Sequence, residues 1–396
     1  MTAGREGRSP DVVIVGGGIV GASAAAFLAA DGARVVLVER DGLAAGASGA
    51  NSGVVQHPFD PVLADLYRET LELYRDLSAR DLGFRLARRP AGMLFVTEDE
   101  GAAAREAALI GDAFPELRLD VLGGDDLLAA EPGLARDLWA CRAEIGFPVA
   151  PGASTYAYAT LAESLGAEIR QGRGATLELD GDVAAGVRVD GRLIDAAAVL
   201  VAAGPWTSGL LDPRERWRPI VARWGIVVEA ELADPPRHVL EEAGIDAAIA
   251  LVPETGRTAA AGEAVADGPE AEEESAEFSL VPLPGASAVG STFLAREPDP
   301  RAWIERILLG AQRFVPTVAD APIRGVRSCA RPQSLDGRPL VGAVPGIERA
   351  YVCAGHGAWG ISTGPESARL VAELILGRAP EIPAELDPRR FGSPLG

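Results

Sequence analysis

Lysine is missing from this sequence: all 37 basic residues are arginine. Any chemistry that depends on a lysine side chain is therefore unavailable to the chain. Cysteine is scarce as well. Cys141, Cys329 and Cys353 are too few for a disulfide framework and too widely spaced for a metal-ligand motif, so no metal is expected. Basic charge is outweighed by 57 acidic residues, giving a formal net charge of −20. Such a surface repels nucleic-acid phosphates and anionic headgroups alike. Residues 1–10 are polar and lack a signal-peptide core. The one stretch apolar enough to mimic a membrane span, 12–30, carries Gly16, Gly17, Gly18 and Gly21 where one periodicity gives way to another. A strand, a glycine turn and a helix account for it better than a bilayer does. A soluble cytoplasmic protein, with no transmembrane segment and no nucleic-acid partner, is expected.

The 396 residues suffice for two or three structural units, and a hydrophobic content of 48% supplies large cores. Asp11-Val-Val-Ile-Val15 contains a short continuous apolar run, the mark of a buried parallel strand. It leads into Gly16-Gly17-Gly18-Ile19-Val20-Gly21, a G-x-G-x-x-G. In that motif Gly16 permits the tight turn, Gly18 lets the backbone approach a pyrophosphate, and Gly21 lets helix and strand pack closely. A helix over 22–30 aims its positive end at the phosphates. A second strand, 34–38, ends at Glu39, 18 positions beyond Gly21. A carboxylate there accepts hydrogen bonds from adenosine ribose hydroxyls. An acid rather than a base argues against a 2′-phosphate, which leaves FAD or NAD. Regular βα units do not follow. The chain instead reaches Gly46-Ala-Ser-Gly-Ala-Asn-Ser-Gly53, a small-residue loop suited to close approach by a bulky planar ligand.

These motifs resemble those of the FAD-dependent D-amino acid oxidase superfamily, particularly its glycine oxidase, sarcosine oxidase and D-amino acid dehydrogenase branches. The resemblance continues through Gly92-Met-Leu-Phe-Val96 and Val199-Leu-Val-Ala-Ala-Gly-Pro-Trp206. It ends on Arg331-Pro-Gln-Ser-Leu-Asp-Gly-Arg-Pro-Leu-Val-Gly342 and Gly355-His-Gly-Ala-Trp-Gly360. It implies an α/β plus α+β protein: a Rossmann-like FAD-binding domain of the glutathione-reductase type, with a mixed β-sheet substrate domain. Carried over residue by residue, it assigns cofactor contact to Gly16, Gly18, Ile19, Val20, Gly21, Glu39 and Arg40. Ser48, Asn51, Ser52 and Gly53 follow in the small-residue loop, then Ala203, Gly204 and Trp206. Cys329, Gly355, Gly357, Ala358, Trp359, Gly360 and Ile361 complete the set. The glycine turn at the start of the last helix presents backbone N–H groups to the electron-rich end of the flavin ring.

The implied domain organisation is discontinuous. Residues 10–60, 151–212 and 322–380 form the FAD-binding domain, and 61–150 and 213–321 the substrate domain. Residues 168–193 read as a β-meander, and 63–82 as a helix whose apolar rhythm serves the core. The stretch 262–277, with seven acids and no base, reads as a solvated loop.

The implied activity is oxidation of the C–N bond of a small amino acid or secondary amine by hydride transfer to the flavin, giving an imine that hydrolyses. A 2-hydroxy acid substrate, or a flavin-binding subunit without catalysis of its own, remain alternatives. An amino-acid carboxylate needs a cation, and the resemblance gives Arg331 that role; Arg223 is a weaker candidate. Glycine oxidases carry a second Arg where this chain has Ala358, which puts glycine in doubt as substrate. His57 and His356 are catalytic candidates by position, although an isolated His is more often structural. His238 carries no specific signal. Cys329 stands where monomeric sarcosine oxidases bond covalently to flavin, or is a small buried Cys. Those oxidases also use a Lys near the flavin to react with oxygen. This chain has none, so the electron acceptor is oxygen by another device, or a quinone, dye or protein.

Overall fold

The runs Val12–Val15, Val35–Val38 and Ala198–Val201 are four residues long and buried at every position. Only the interior of a parallel sheet, covered on both faces, accommodates such runs. In the computed structural model, which describes residues 9–244 and 276–395, they lie side by side. Val12 registers with Val35 on one flank and Ala198 on the other. Glu168–Arg170 extends the sheet in parallel beyond Val35–Val38, and Ala350–Ala354 extends it beyond Ala198–Val201. Leu340–Ala343 closes it as a sixth, antiparallel strand.

The helix Ile19–Ala30 packs between the helices Ala153–Ser164 and Gly360–Ile375. Its alanine-rich sequence buries almost every position and lets both neighbours approach. The helix Pro61–Ser78 is capped by Asp60, whose side chain accepts from the Leu63 N–H. Its buried stripe of Leu63, Leu66, Tyr67, Tyr74 and Leu77 joins the same core.

A second sheet has eight strands. Its order is Ile323–Ser334, Ile220–Ala230, Ser287–Thr292, Ala276–Val281, Val239–Glu242, Met93–Thr97, Trp139–Ala143 and Leu119–Gly123. It is mixed because Val239–Glu242 runs parallel to Met93–Thr97. The helix Ile304–Gln312 covers one face through Ile307 and Ala311, against Leu94, Val228, Leu240 and Val289.

Two spans depart from their expected places. Residues 323–334, grouped by sequence with the cofactor domain, form a strand of the large sheet, paired with Ile220–Ala230 along its whole length. Within 168–193, only Ala175–Asp180 and Val183–Val189 join Arg192–Asp195 in a three-stranded meander, with turns at Gly181-Asp182 and Asp190-Gly191. The expected acidic loop, 262–277, lies outside the described residues up to position 275. Among the described residues no helix is long and apolar enough to cross a membrane.

A candidate dinucleotide cleft and an adjoining small cavity

The turn after Val12–Val15 is shaped by what its glycines cannot carry. Gly16 has φ +114°, and a Cβ there would overlap the Ala202 carbonyl of the neighbouring strand. A Cβ on Gly21 would strike the Gly16 carbonyl. The helix that follows presents unsatisfied N–H groups at its first turn, and a phosphate is their natural partner. Ser48 already serves one of them, its Oγ accepting from the Ile19 N–H at 2.9 Å. Glu39 binds back to the turn: its carboxylate accepts from the Gly17 N–H at 2.6 Å and from the Asp41 N–H at 2.8 Å. Arg40 lies over the Trp206 ring at 4.5 Å and pairs with Asp41 at 2.9 Å.

Asn51 organises the small-residue loop. Its amide donates to the carbonyls of Ala47 and Ser48 at 3.0 and 2.7 Å, and its Oδ1 accepts from the Gly53 N–H at 2.8 Å. The loop is thereby folded against the cleft.

These elements line one cavity of about 290 Å³. Glu39, Arg40, Arg173 and Trp206 line it together with Cys329, Arg331, His356, Gly357 and Ala358. Gly16, Gly18, Ile19, Val20, Ser48, Asn51, Ala203, Gly204, Gly360 and Ile361 complete the wall. Cys329 and Arg331 come from the large sheet and Cys353 and Ala354 from the first, so the two sheets meet at this end of the wall. Gln333, near the end of the Ile323–Ser334 strand, bridges to His356 in the glycine turn. His356 is buried, and its Nε2 has no hydrogen-bond partner among the described residues. Burial lowers its pKa to about 4, so the ring is neutral at pH 7. Burial likewise raises the Cys329 thiol above its usual value, partly offset by Arg331 and Arg327. A protonated thiol is a poor nucleophile.

A second, smaller cavity of about 70 Å³ adjoins this end. The two share Asn51, Cys329, Arg331, Ala358 and Ile361 as walls. Ser52 and Trp359 line the smaller cavity, together with Gln56, Gly225, Glu241, Ser279, Ser291 and Phe293. Arg331 reaches across Gly225, where a Cβ would collide with the guanidinium. It donates to the Ser291 Oγ at 2.6 Å and the Thr292 carbonyl at 2.7 Å, and lies 4.5 Å from the Phe293 ring centre. No carboxylate pairs with it among the described residues. Desolvation pulls its pKa down from the usual guanidinium value.

One candidate is corrected. His57 lines neither cavity. Its ring is buried among Phe59, Tyr67 and Phe114, with centroids 5.7, 5.1 and 4.9 Å away. Neither ring nitrogen has a well-formed hydrogen bond among the described residues. Desolvation, with a smaller contribution from Arg68, lowers its pKa to about 4. It is a core residue that follows the loop in sequence and turns away from it in space.

Gly21, Gly53 and Gly355 also line neither cavity; they permit close packing behind it. A Cβ on Gly53 would sit 2.6 Å from the Val149 carbonyl oxygen. Arg223 is absent from both walls. Sequence reading missed Gly225, Gln56, Glu241, Ser279, Ser291 and Phe293. These residues come from separate strands and loops, and no local pattern ties them together.

The residues present fit FAD. A glycine turn that no side chain can fill, a helix terminus, and a cavity lined from both sheets suit a dinucleotide with a large planar head. A family model described as FAD dependent oxidoreductase, DAO, matches residues 11–374. Among curated proteins, glycine oxidase of Pseudomonas aeruginosa is 28% identical, across 94% of this chain and 97% of its own length. D-amino acid dehydrogenase of Rhizorhabdus wittichii is 26% identical, across 94% and 97%. Among solved structures, iminodiacetate oxidase of Chelativorans sp. BNC1 matches with a TM-score of 0.77 at 25% identity, covering 96% of this chain and 98% of that one.

Proposed function

The chain belongs to the DAO family of FAD-dependent oxidoreductases, and from that premise we propose that it oxidises the C–N bond of a small amino acid or secondary amine. Arg331 is the observation that carries this reading. A guanidinium deep in the protein, bonded only to neutral oxygens and an aromatic ring among the described residues, is an incomplete site that an anion completes. The substrate carboxylate would be that anion, and Ser291 and Thr292 hold the fork in place to receive it.

Bound FAD would supply the acceptor for the hydride leaving the substrate α-carbon. Around it, the chain's own residues have three tasks. Arg331 fixes the carboxylate end, so that the α-carbon lies at the junction of the two cavities. Gly357, Ala358 and Gly360, at the start of the helix Gly360–Ile375, turn backbone N–H groups towards negative charge that develops during reduction. Phe293, Val227 and Trp359 exclude water from the small cavity, which strengthens each polar contact inside it. The imine product would hydrolyse in water to an oxo acid and an amine.

Two relatives, a glycine oxidase and a D-amino acid dehydrogenase by name, leave the acceptor open. The complete absence of lysine favours electron transfer to a quinone, dye or protein. The test is anaerobic mixing of the holoenzyme with D-, L- and N-methyl amino acids and with 2-hydroxy acids. Bleaching of the flavin by amino compounds alone is expected, with fast reoxidation by a dye and slow reoxidation by air. Bleaching by hydroxy acids alone would replace the proposed substrate class.

A further inference from the structure

We infer that Glu241, held by Gln56, receives the cationic nitrogen of the substrate, so that the small cavity selects zwitterionic α-amino acids over plain carboxylates. This deepens the amino-acid reading above and rests on it.

The argument is one of spacing. Arg331, Gly225, Ser291, Ser279 and Glu241 come one each from five successive strands of the large sheet, and all line the small cavity. Arg331 is rooted on the first strand, but its guanidinium crosses Gly225 and ends at Ser291 and Thr292 on the third. Glu241 stands two strands further on, since Glu241 registers with Ser279 and Ser279 with Gly290. At about 4.8 Å per strand, two steps separate the backbones by about 10 Å. Side chains stand roughly perpendicular to a sheet, so the two charged groups keep about that lateral separation. It suits an α-amino acid, whose nitrogen lies about 2.5 Å from its carboxyl carbon, with a hydrogen bond of about 2.8 Å at each end.

Glu241 is also held for this task. It is buried, and the Gln56 amide donates to its Oε2 at 3.0 Å. The Gln56 backbone N–H in turn donates to the Ser362 Oγ at 2.9 Å, on the helix that begins at the glycine turn. The acid is thus tied to the element that borders the flavin end of the cleft. A carboxylate offers about four lone-pair positions, so several donors can share it, a substrate ammonium among them. The cavity lining therefore carries one cation and one anion two strands apart, the pattern of a zwitterion turned inside out.

The test compares wild-type, E241Q and Q56L holoenzymes. Reductive kcat/KM is measured anaerobically for the best amino acid of the panel. Binding of glycine and of acetate is measured by perturbation of the flavin spectrum, with FAD content and thermal midpoint recorded for each variant. In E241Q, kcat/KM is expected to fall about 10- to 100-fold, mostly through KM, as for loss of one charged hydrogen bond. The preference for glycine over acetate should collapse, and Q56L should move it the same way by a smaller factor. An unchanged preference overturns the inference while leaving the amino-acid reading intact. So does a fall in FAD content and thermal midpoint with the preference preserved, since that marks a tether between loop and sheet. A wild type that no amino acid reduces removes the amino-acid reading first, and the inference with it.

Discussion

A single guanidinium shows how much chemistry one side chain brings to this cleft. Arg331 surrenders its hydration for two neutral oxygens and a ring face, and desolvation pulls its pKa down. Arg stays protonated regardless, so the uncompensated charge is available to a ligand. Lysine would retain the charge but lose the planar fork that binds Ser291 and Thr292 and that, in the proposed function, also takes the carboxylate. R331K is therefore expected to lower reductive kcat/KM by about 100-fold or more, the cost of losing a bidentate charged contact, at about 3 kcal/mol. FAD content should be unchanged. Equal kcat/KM for R331K and wild type with every amino acid would remove Arg331 from substrate binding. The Arg-Pro motif made this residue legible in the sequence. His57 was misread for the same reason, nearness in sequence to the small-residue loop. Direction decides the matter: after Gly53 the backbone enters the strand Val54–Val55, and His57 emerges on the aromatic side.

At the scale of elements, legibility follows range. The turn at Gly16–Gly21, its two strands and its helix are local, and steric necessity at Gly16 and Gly21 writes them into consecutive residues. The wall of the small cavity has no such signature. Its residues lie on strands whose order in the sheet departs from chain order, with Val239–Glu242 next to Met93–Thr97 and Ile323–Ser334 at the edge. Alternation within a strand reveals which face a residue occupies, not which distant strand lies beside it. Gly225 condenses the point: it sits opposite Cys329 in register, and Arg331 lies where its side chain would be. G225A should force the guanidinium off the Ser291–Thr292 seat, because a paired strand cannot shift to admit the methyl group. Substrate KM is expected to rise at least tenfold with little loss of FAD, since a displacement of about 1 Å is enough to spoil such positioning. A G225A enzyme with wild-type KM would show that Arg331 finds its seat by another route.

Taken as a whole, the molecule carries two neutral, buried histidines, and they contribute to its response to acid. His57 sits among aromatic rings and His356 beneath the cleft, both with pKa lowered to about 4 by burial. The unfolded chain, with histidines near 6.5, binds protons that the folded chain refuses. Stability from these groups is therefore complete above about pH 6.5 and is lost as pH falls towards about 4. Each contributes a slope of up to about 1.4 kcal/mol per pH unit within that window. Other groups act on the same profile. Arg68 helps to depress His57, and Glu116 opposes it. Glu106, Glu242 and Glu366, raised by burial, work in the opposite sense because their folded forms hold protons more tightly. Comparing H57L with wild type cancels those carboxylates. Leucine is close in volume to histidine, and the lost ring nitrogens make no well-formed hydrogen bond among the described residues, so H57L should match or exceed wild type at pH 7. Urea midpoints of the FAD-saturated protein at pH 7, 6 and 5 should then fall less steeply for H57L, by about one proton's worth of slope. Parallel acid profiles for the two proteins would mean that His57 titrates normally, and hence that water reaches the aromatic pocket which encloses it.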